Sequence, residues 1–403
     1  MRGEIGAGVV VGRRGGRAVR AEPELVGDGT KAQIFAEILS SGPLSRTEVA
    51  RRLSLSQSTV TKIVNPLLEL GYLVEAGERS SGNGRPQRLV RVARDMHNAI
   101  GVKLAPAHVT AVLTDLEAGV LSRMRVSMPP GYSPDYALDT AAAVVDELLE
   151  AAPGARERLL GVGVGLGGHV DSRSGRCVYS GVLGWRDVDL AGRLAELVGL
   201  PVFADNDVNA LVIAERWFGE GRDSDSFAVV TVGAGIGCGL VLRGEPYVGV
   251  AGLGGELGHV PVQPDGALCS CGSRGCLETV ASDVAVMRQI AASGLDCASV
   301  EEAVALAREG EPAAVAAFAS MGEALGRGLA VLCNLLNLDK IVVTGERAGA
   351  YDLFGPACEA SLAAHGFSSA ARDCSLIVDV ADDYLWARGA ACLVIRNAVY
   401  VSR

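Results

Sequence analysis

Four side chains in one short stretch have the types and spacing to hold a metal ion. His259 is followed by Cys269, Cys271 and Cys276, the last three inside Cys-Ser-Cys-Gly-Ser-Arg-Gly-Cys. One imidazole and three thiolates fill a tetrahedral zinc shell, and a filled shell leaves no open position for catalysis. Gly272 and Gly275 let the chain turn tightly enough for the sulfurs to converge. Buried unligated cysteines are the bland alternative, and Cys333 and Cys392 read that way. Three cysteines within eight residues, beside glycines, argue against it here. The expectation is one structural zinc.

Two further stretches could meet a ligand. Asp205-Asn206-Asp207-Val208-Asn209 follows the apolar Pro201-Val202-Phe203. Polar residues at the carboxyl end of a buried strand sit where α/β folds bind ligands, and amides and carboxylates suit sugar hydroxyls. The same residues would also serve as a plain helix cap. Gly233-Ala234-Gly235-Ile236-Gly237-Cys238-Gly239 lies between two apolar runs. Such a turn can aim backbone N–H groups at a phosphate, but glycine-rich hairpins are common without one.

Near the N-terminus the residue types suit nucleic acid. Ser45 and Glu48 form a capping box ahead of Val49, Ala50 and Leu53. Ser56 then caps a third helix with an apolar stripe at Val60, Ile63, Val64, Leu67 and Leu68. Ser56, Gln57, Ser58, Thr59, Thr61 and Lys62 are left at its start, short enough to reach base edges and phosphates in a major groove. A three-helix structural bundle is the alternative. Against it stands a basic hairpin: residues 79–94 carry Arg79, Arg85, Arg88, Arg91 and Arg94 and no acid. Its Gly-rich tip would present Arg85 to a phosphate or minor groove.

Charge is divided in the same sense. The net charge is -10, yet residues 1–98 hold 15 Lys and Arg against 10 Asp and Glu, so the head is +5 and the remainder -15. A basic head on an acidic body aims the head at DNA. Hydrophobic residues make up 49% and charged residues 21%, a globular balance rather than a disordered one. No apolar run approaches the ~18 residues of a membrane span, and the N-terminus lacks the apolar stretch of a secretory signal. Ten cysteines then fit a reducing cytoplasm, with no membrane partner.

The elements that must position these groups follow from periodicity. Residues 1–26 read as a tail. Helices centred on residues 31–53, the capped third helix and a hairpin of 72–74 with 89–92 make a head over 27–94. From residue 99 the pattern becomes α/β. Strands are expected at 99–104, 109–114, 119–128, 161–166, 201–204, 227–233, 237–243 and 340–344. Helices are expected at 137–150, 279–292, 300–308, 312–337 and 384–399. The strand-turn-strand pattern recurs, which suggests two lobes: 98–208, completed by 384–403, and 209–383 with the cysteine loop.

Together these motifs resemble the ROK family of repressors and sugar kinases over nearly the whole chain. Glu256-Leu257-Gly258-His259 matches its E-x-G-H motif, and residues 269–278 match C-x-C-G-x-x-G-C-x-E. The resemblance implies an α/β fold: an N-terminal winged helix-turn-helix followed by an actin-like (ribonuclease H-like) two-lobed domain. It implies that Asn206, Asp207, Glu256, His259 and Glu278 contact a sugar, with His259 also on the metal. The Gly167-Gly168 loop would be a further element on the sugar side. In family kinases the aspartate at Asp207 is the general base. The first strand-turn of those kinases reads D-x-G-G-T-K. Here Lys103-Leu104-Ala105-Pro106-Ala107-His108 stands instead: a lysine replaces the aspartate, both glycines are gone, and Pro106 removes a donor.

The expected function is a sugar-responsive transcriptional regulator, a repressor of carbohydrate genes, with no ATP and no catalytic residue. Its partners would be a pseudo-palindromic operator, a small sugar or sugar derivative, and a second copy in a homodimer or dimer of dimers. An active ATP-dependent sugar kinase with a DNA-binding head is the alternative, in which Asp207 is the base. A regulator controlled by a protein partner is a third reading.

Overall fold

The computed structural model describes Val26, residues 29–79, 86–380, 382 and 384–400. The tail expected over 1–26 and the hairpin tip carrying Arg85 lie outside the described residues, apart from Val26 and Pro86 at their ends.

The head begins with α1 (Gly29–Ser41), β1 (Leu44–Ser45), α2 (Arg46–Arg52) and α3 (Gln57–Glu69). Its core holds Phe35, Ile38, Val49, Val60 and Leu67, each under 2% exposed. The Ser45 hydroxyl accepts the Glu48 N–H at 3.2 Å, and the Glu48 carboxylate accepts the Ser45 N–H at 2.9 Å. A cap of this kind contributes roughly 1 kcal/mol. Ser56 caps α3 by accepting the Thr59 N–H at 3.1 Å. The hairpin is longer than its apolar pattern suggests. β2 (Leu73–Arg79) pairs antiparallel with β3 (Gln87–Val92) from Leu73↔Val92 to Arg79↔Gln87, across an irregularity between Glu75 and Glu78. Its outer half is polar on both strands, so no apolar alternation marks it in the sequence.

The chain then forms two compact units. Among the described residues the first runs to Ala210 and resumes at Trp386, and the second spans Leu211–Leu385. The head belongs to the first unit and is tied to it by more than the connecting chain. Leu116 donates its N–H to the Arg94 carbonyl at 3.1 Å. Arg158 donates to the Asp95 carbonyl at 3.1 Å. Tyr72 stacks on His97 with ring centroids 6.1 Å apart.

The first unit is built on β4 (Asn98–Ala105), β5 (His108–Thr114), β6 (Val120–Ser127), α4 (Pro134–Glu150), α5 (Ala155–Arg158) and β7 (Leu159–Leu166). A small antiparallel meander follows, β8 (His169–Asp171), β9 (Arg176–Ser180) and β10 (Trp185–Asp189), and then α6 (Leu190–Val198) and β11 (Val202–Asn206). The main sheet has the order β11-β7-β4-β5-β6. One face packs on α4 and α6 through Ile100, Val102, Val162, Val144 and Leu194. The other face takes the C-terminal helix. A side chain on Gly101 would stand 1.9 Å from the Ala387 carbonyl oxygen, and one on Gly163 1.8 Å from that of Ala390. These two glycines therefore let the helix backbone seat directly on the sheet.

The second unit contains α7 (Asp207–Phe218) from Leu211 onward, β12 (Phe227–Val232), β13 (Ile236–Leu242), β14 (Glu245–Tyr247), α8 (Glu278–Ala281) and α9 (Asp283–Ala292). It continues through α10 (Val300–Arg308), α11 (Pro312–Leu336), β15 (Lys340–Thr344), α12 (Tyr351–His365), α13 (Ala370–Asp373) and β16 (Ser375–Val378). Its sheet order is β14-β13-β12-β15-β16. The single helix expected over 279–292 is broken at Ser282, whose hydroxyl caps α9 by accepting the Ala285 N–H at 3.3 Å. By length and composition α11 could cross a membrane, which corrects the reading that no apolar run is long enough. Phe318, Met321, Leu325 and Leu329 on α11 are fully buried in the core of this unit. The chain closes with α14 (Leu385–Val399), nearly all of which belongs to the first unit.

Candidate functional site

The cysteine loop brings its four groups together. The donor atoms of His259, Cys269, Cys271 and Cys276 all lie within 4.8 Å of one another. Cys269 Sγ is 3.4 Å from His259 Nδ1, and Cys271 Sγ is 3.6 Å from Cys276 Sγ. Those separations match the edges of a tetrahedron with metal–ligand bonds of ~2.0–2.3 Å, and the sulfur pair is far beyond a disulfide bond of ~2.05 Å. The loop is held by turns: Cys269 N–H donates to the Ser273 carbonyl at 2.8 Å, and Gly272 N–H to the Cys269 carbonyl at 2.9 Å. Gly272 and Gly275 take φ of 91° and 67°. The backbone of Ser273, first among several hydrogen bonds, draws the Cys271 thiol down to about 7. Burial, and then the neighbouring thiols, push Cys276 up to about 12. Three thiolates cannot gather here without a cation, so the donor set fits a metal. The other ring nitrogen of His259 faces Glu256, with Nε2 3.8 Å from its carboxylate. Glu256, assigned to the sugar by resemblance, thus stands where it would orient a metal-bound imidazole.

The second cluster lies in the first unit, at the carboxyl ends of β4, β7 and β11. In register, Lys103 and Asp205 flank Gly165. Lys103 Nζ donates to Asp207 Oδ2 in a buried ion pair, with side chains 11% and 10% exposed. The ammonium also sits 4.8 Å from the centroid of the Trp386 ring. Asn206 does what a cap does: its Oδ1 accepts the N–H of Val208 at 2.8 Å and of Asn209 at 3.3 Å. Its Nδ2 donates to the Gly168 carbonyl at 2.9 Å, which holds the Gly167-Gly168 loop against β11. Asp205 is almost wholly buried, and that burial pushes its carboxyl up to about 6. Lys103 appears in the sequence only as a lost phosphate-loop aspartate. Its pairing with Asp207, and the approach of Trp386, carry no sequence signal.

The glycine turn at 233–239 has little to offer an anion. Ile236 N–H donates to Glu278 Oε2 at 3.2 Å, Gly237 N–H to Thr231 Oγ1 at 3.2 Å, and Gly233 N–H to the Gly235 carbonyl at 3.1 Å. A side chain on Gly233 would stand 2.2 Å from a Glu346 carboxylate oxygen. Two carboxylates border the turn, and several of its amides are already bonded. Glu278 therefore has a structural partner as well as the sugar role implied by resemblance.

In the head, Ser56, Gln57, Ser58 and Lys62 are exposed at the start of α3, and Thr59 and Thr61 are half-buried. Gln57 Nε2 donates to Thr47 Oγ1 at 3.2 Å, and Arg46 donates to Asn65 Oδ1 at 3.1 Å. Thr47 and Arg46, on α2, were not marked by the sequence. The arginine hairpin is less free than the sequence suggests. Arg79 pairs with Glu48 at 2.7 Å and Arg88 with Glu75 at 3.3 Å. Arg94 approaches Asp95 and Asp115 at 3.7 and 3.9 Å. Acidic residues outside the 79–94 window supply all of these partners.

Comparison with known proteins agrees with this layout. A profile of the MarR family matches residues 28–86, which hold the head. The chain is 31% identical over 337 residues to a putative xylose repressor of Caldicellulosiruptor sp. (strain Rt8B.4), covering 80% of this chain and 84% of that one. It is 30% identical over 360 residues to the DNA-binding transcriptional dual regulator NagC of Escherichia coli K12, covering 86% and 88%. The crystal structure of a ROK family transcriptional regulator, a homolog of the E. coli MLC protein, superposes with a TM-score of 0.77 at 26% identity, over 92% of this chain and 96% of that one. The fold is thus the actin-like sugar-kinase fold behind a winged helix. A profile of the ROK family matches residues 99–397, and the chain belongs to that family.

Proposed function

We propose that this chain is a sugar-responsive DNA-binding repressor whose kinase-like domain serves as the effector sensor. The observation that carries this reading is the buried Lys103–Asp207 ion pair, in a chain that also has a winged helix. Asp207 stands where family kinases hold the general base. Here one oxygen of its carboxylate already accepts from the Lys103 ammonium. The phosphate turn around Pro106 and the carboxylate-bordered turn at 233–239 weigh against ATP. The relatives named as a putative xylose repressor and as a DNA-binding transcriptional dual regulator match over 84% and 88% of their own lengths.

In this reading α3 enters the major groove, with Gln57, Ser58 and Lys62 at its leading end, and Arg85 follows the backbone from the hairpin tip. A homodimer, or a dimer of dimers, spans a pseudo-palindromic operator in the cytoplasm. Zinc on His259, Cys269, Cys271 and Cys276 is structural and fixes the loop that carries Glu278. The family resemblance assigns sugar contacts to Asn206 and Asp207 in the first unit and to Glu256, His259 and Glu278 in the second.

The test is direct. Operator duplexes are selected from a random pool with the full chain, and binding is then titrated by anisotropy with and without D-xylose, D-glucose and N-acetyl-D-glucosamine. Sugar-dependent release of duplex is expected. Coupling is reciprocal, so operator must weaken sugar binding by the same factor. No selected duplex, or duplex binding that no sugar alters, contradicts the reading.

A further inference from the structure

Lys103 is more than a disabled phosphate loop. An ammonium carries three hydrogens: Asp207 takes one, and the Trp386 ring faces the group at 4.8 Å. Asp207 Oδ1 accepts the Val208 N–H at 2.9 Å, so Oδ2 is the oxygen shared with Lys103. Gly165 and Gly167 line the pair, and a side chain on Gly167 would also stand 3.2 Å from Val182. A side chain on either would stand 3.7 Å from Asp207 side-chain atoms. The pair therefore offers a ligand one anionic acceptor and one cationic donor, side by side and shielded from bulk water.

That combination suits a neutral hydroxyl. Its O–H donates to Asp207 and its oxygen accepts from the Lys103 ammonium. A phosphate ester at the same oxygen has no proton to give and carries about -1.5 to -2 charges. It would meet the Asp207 carboxylate, with Asp205 in the same register row as Lys103, across Gly165. The lysine charge cannot serve it, because Asp207 already balances that charge.

We propose that Lys103 and Asp207 jointly bind one free hydroxyl of the effector, so that the chain responds to a sugar unphosphorylated at that position. This rests on the sugar-sensor reading and names which group of the sugar is selected. It also gives Lys103 a second effect. A hydroxyl oxygen whose lone pair faces an ammonium is a poor nucleophile, so the residue that selects the sugar also keeps it unreacted.

The experiment uses the full chain and calorimetric titration with D-xylose, D-glucose and N-acetyl-D-glucosamine, the 6-phosphates of the last two, and the monodeoxy derivatives of whichever sugar binds. One monodeoxy sugar and the phosphate ester at the same carbon are expected to bind at least tenfold more weakly than the parent. Lys103→Met is expected to weaken the parent sugar roughly five- to 150-fold, the range for an unmatched buried polar group. It should leave the affinity of the sensitive deoxy sugar unchanged. A purely structural lysine would weaken parent and deoxy sugars alike, which overturns the assignment. Should Lys103→Met fail to fold, Asp207→Asn is compared with Lys103→Met/Asp207→Asn, which leaves no lone buried charge. The double variant should bind the parent more weakly than the single one, and equal affinities overturn the assignment. Tighter binding of a 6-phosphate that depends on Lys103 overturns it as well. If none of the three sugars binds the wild-type chain, the sensor reading itself fails and the assignment goes with it.

Discussion

Lys103 on β4 and Asp207 at the start of α7 are 104 positions apart in sequence and share a hydrogen bond in the floor of the first unit. In the function proposed above, the bond joins the residue standing in place of a phosphate-loop aspartate to the residue at the position of the base, so that one substitution touches both.

The wild-type chain should release no ADP in a coupled assay with ATP, magnesium and any of the three sugars. Lys103→Asp should not restore activity, since Pro106 still removes a backbone donor and the two glycines of the turn are still missing. Sugar-dependent turnover at ordinary kinase rates, on the order of 1–100 per second, would contradict this.

One zinc per chain should co-purify when no chelator is used. Cys271→Ser should lower the metal content and the melting temperature together, because metal binding is coupled to loop folding. Acidification should release the metal as the thiolates and His259 take up protons. Elemental analysis of the purified chain is the check, and a metal-free, fully stable protein would refute the assignment.

Lys62→Ala should weaken duplex binding about equally for all sequences and reduce the slope of log affinity against log salt by about 1. Gln57→Ala should instead change which base is preferred at one position. Thr47→Val should have a milder form of the same effect, because Thr47 accepts from Gln57 Nε2 at 3.2 Å and steadies its amide. Selection experiments on each variant distinguish these outcomes. Unchanged preference in Gln57→Ala would remove Gln57 from the interface.

Burial, which outweighs the opposing bonds from Asn209 and Asn206, pushes the Asp205 carboxyl up to about 6. An acid with a raised folded pKa holds its proton longer in the native state than in the unfolded one. Its contribution therefore favours folding at low pH and is lost as pH rises from ~4 through ~6. Asp205→Asn keeps the acceptor oxygen for Asn209 and has no such titration. Relative to wild type, the variant should gain on the order of 2 kcal/mol between pH 4 and pH 7. Denaturant melts at the two pH values test it, and an unchanged gap would refute it.

The parts of this molecule legible in the sequence are those whose cause is local. Ser45 and Glu48 lie three residues apart, so their capping box could be read directly, and so could the apolar stripe of α3. The cysteine loop was legible because its ligands nearly all fall within one turn-rich segment. The meander β8–β10 was not seen: its strands are short, and its outward residues, such as Val178 and Tyr179, are apolar and exposed, so alternation is blurred. Helix α7 begins inside the polar run Asp205–Asn209, which reads as a ligand-meeting strand end or as a helix cap, and the helix behind that cap was not assigned. The roles of Lys103 and Glu278 depend on partners that are far away in sequence or on the backbone. Thr47 needed the α2–α3 turn to bring it under Gln57. No periodicity carries such pairings.

The seat of α14 on Gly101 and Gly163 has a consequence for biosynthesis. The strands that support the DNA-binding head come from residues 98–206, but one face of their sheet is closed by a helix made only after the whole second unit. That face is rich in glycine where the helix seats, so it has few side chains with which to collapse alone. The head can acquire its own core first, while its platform stays open on one side until residues 385–399 arrive. A chain stopped before residue 385 would thus have its reading head but an open sheet face beneath it.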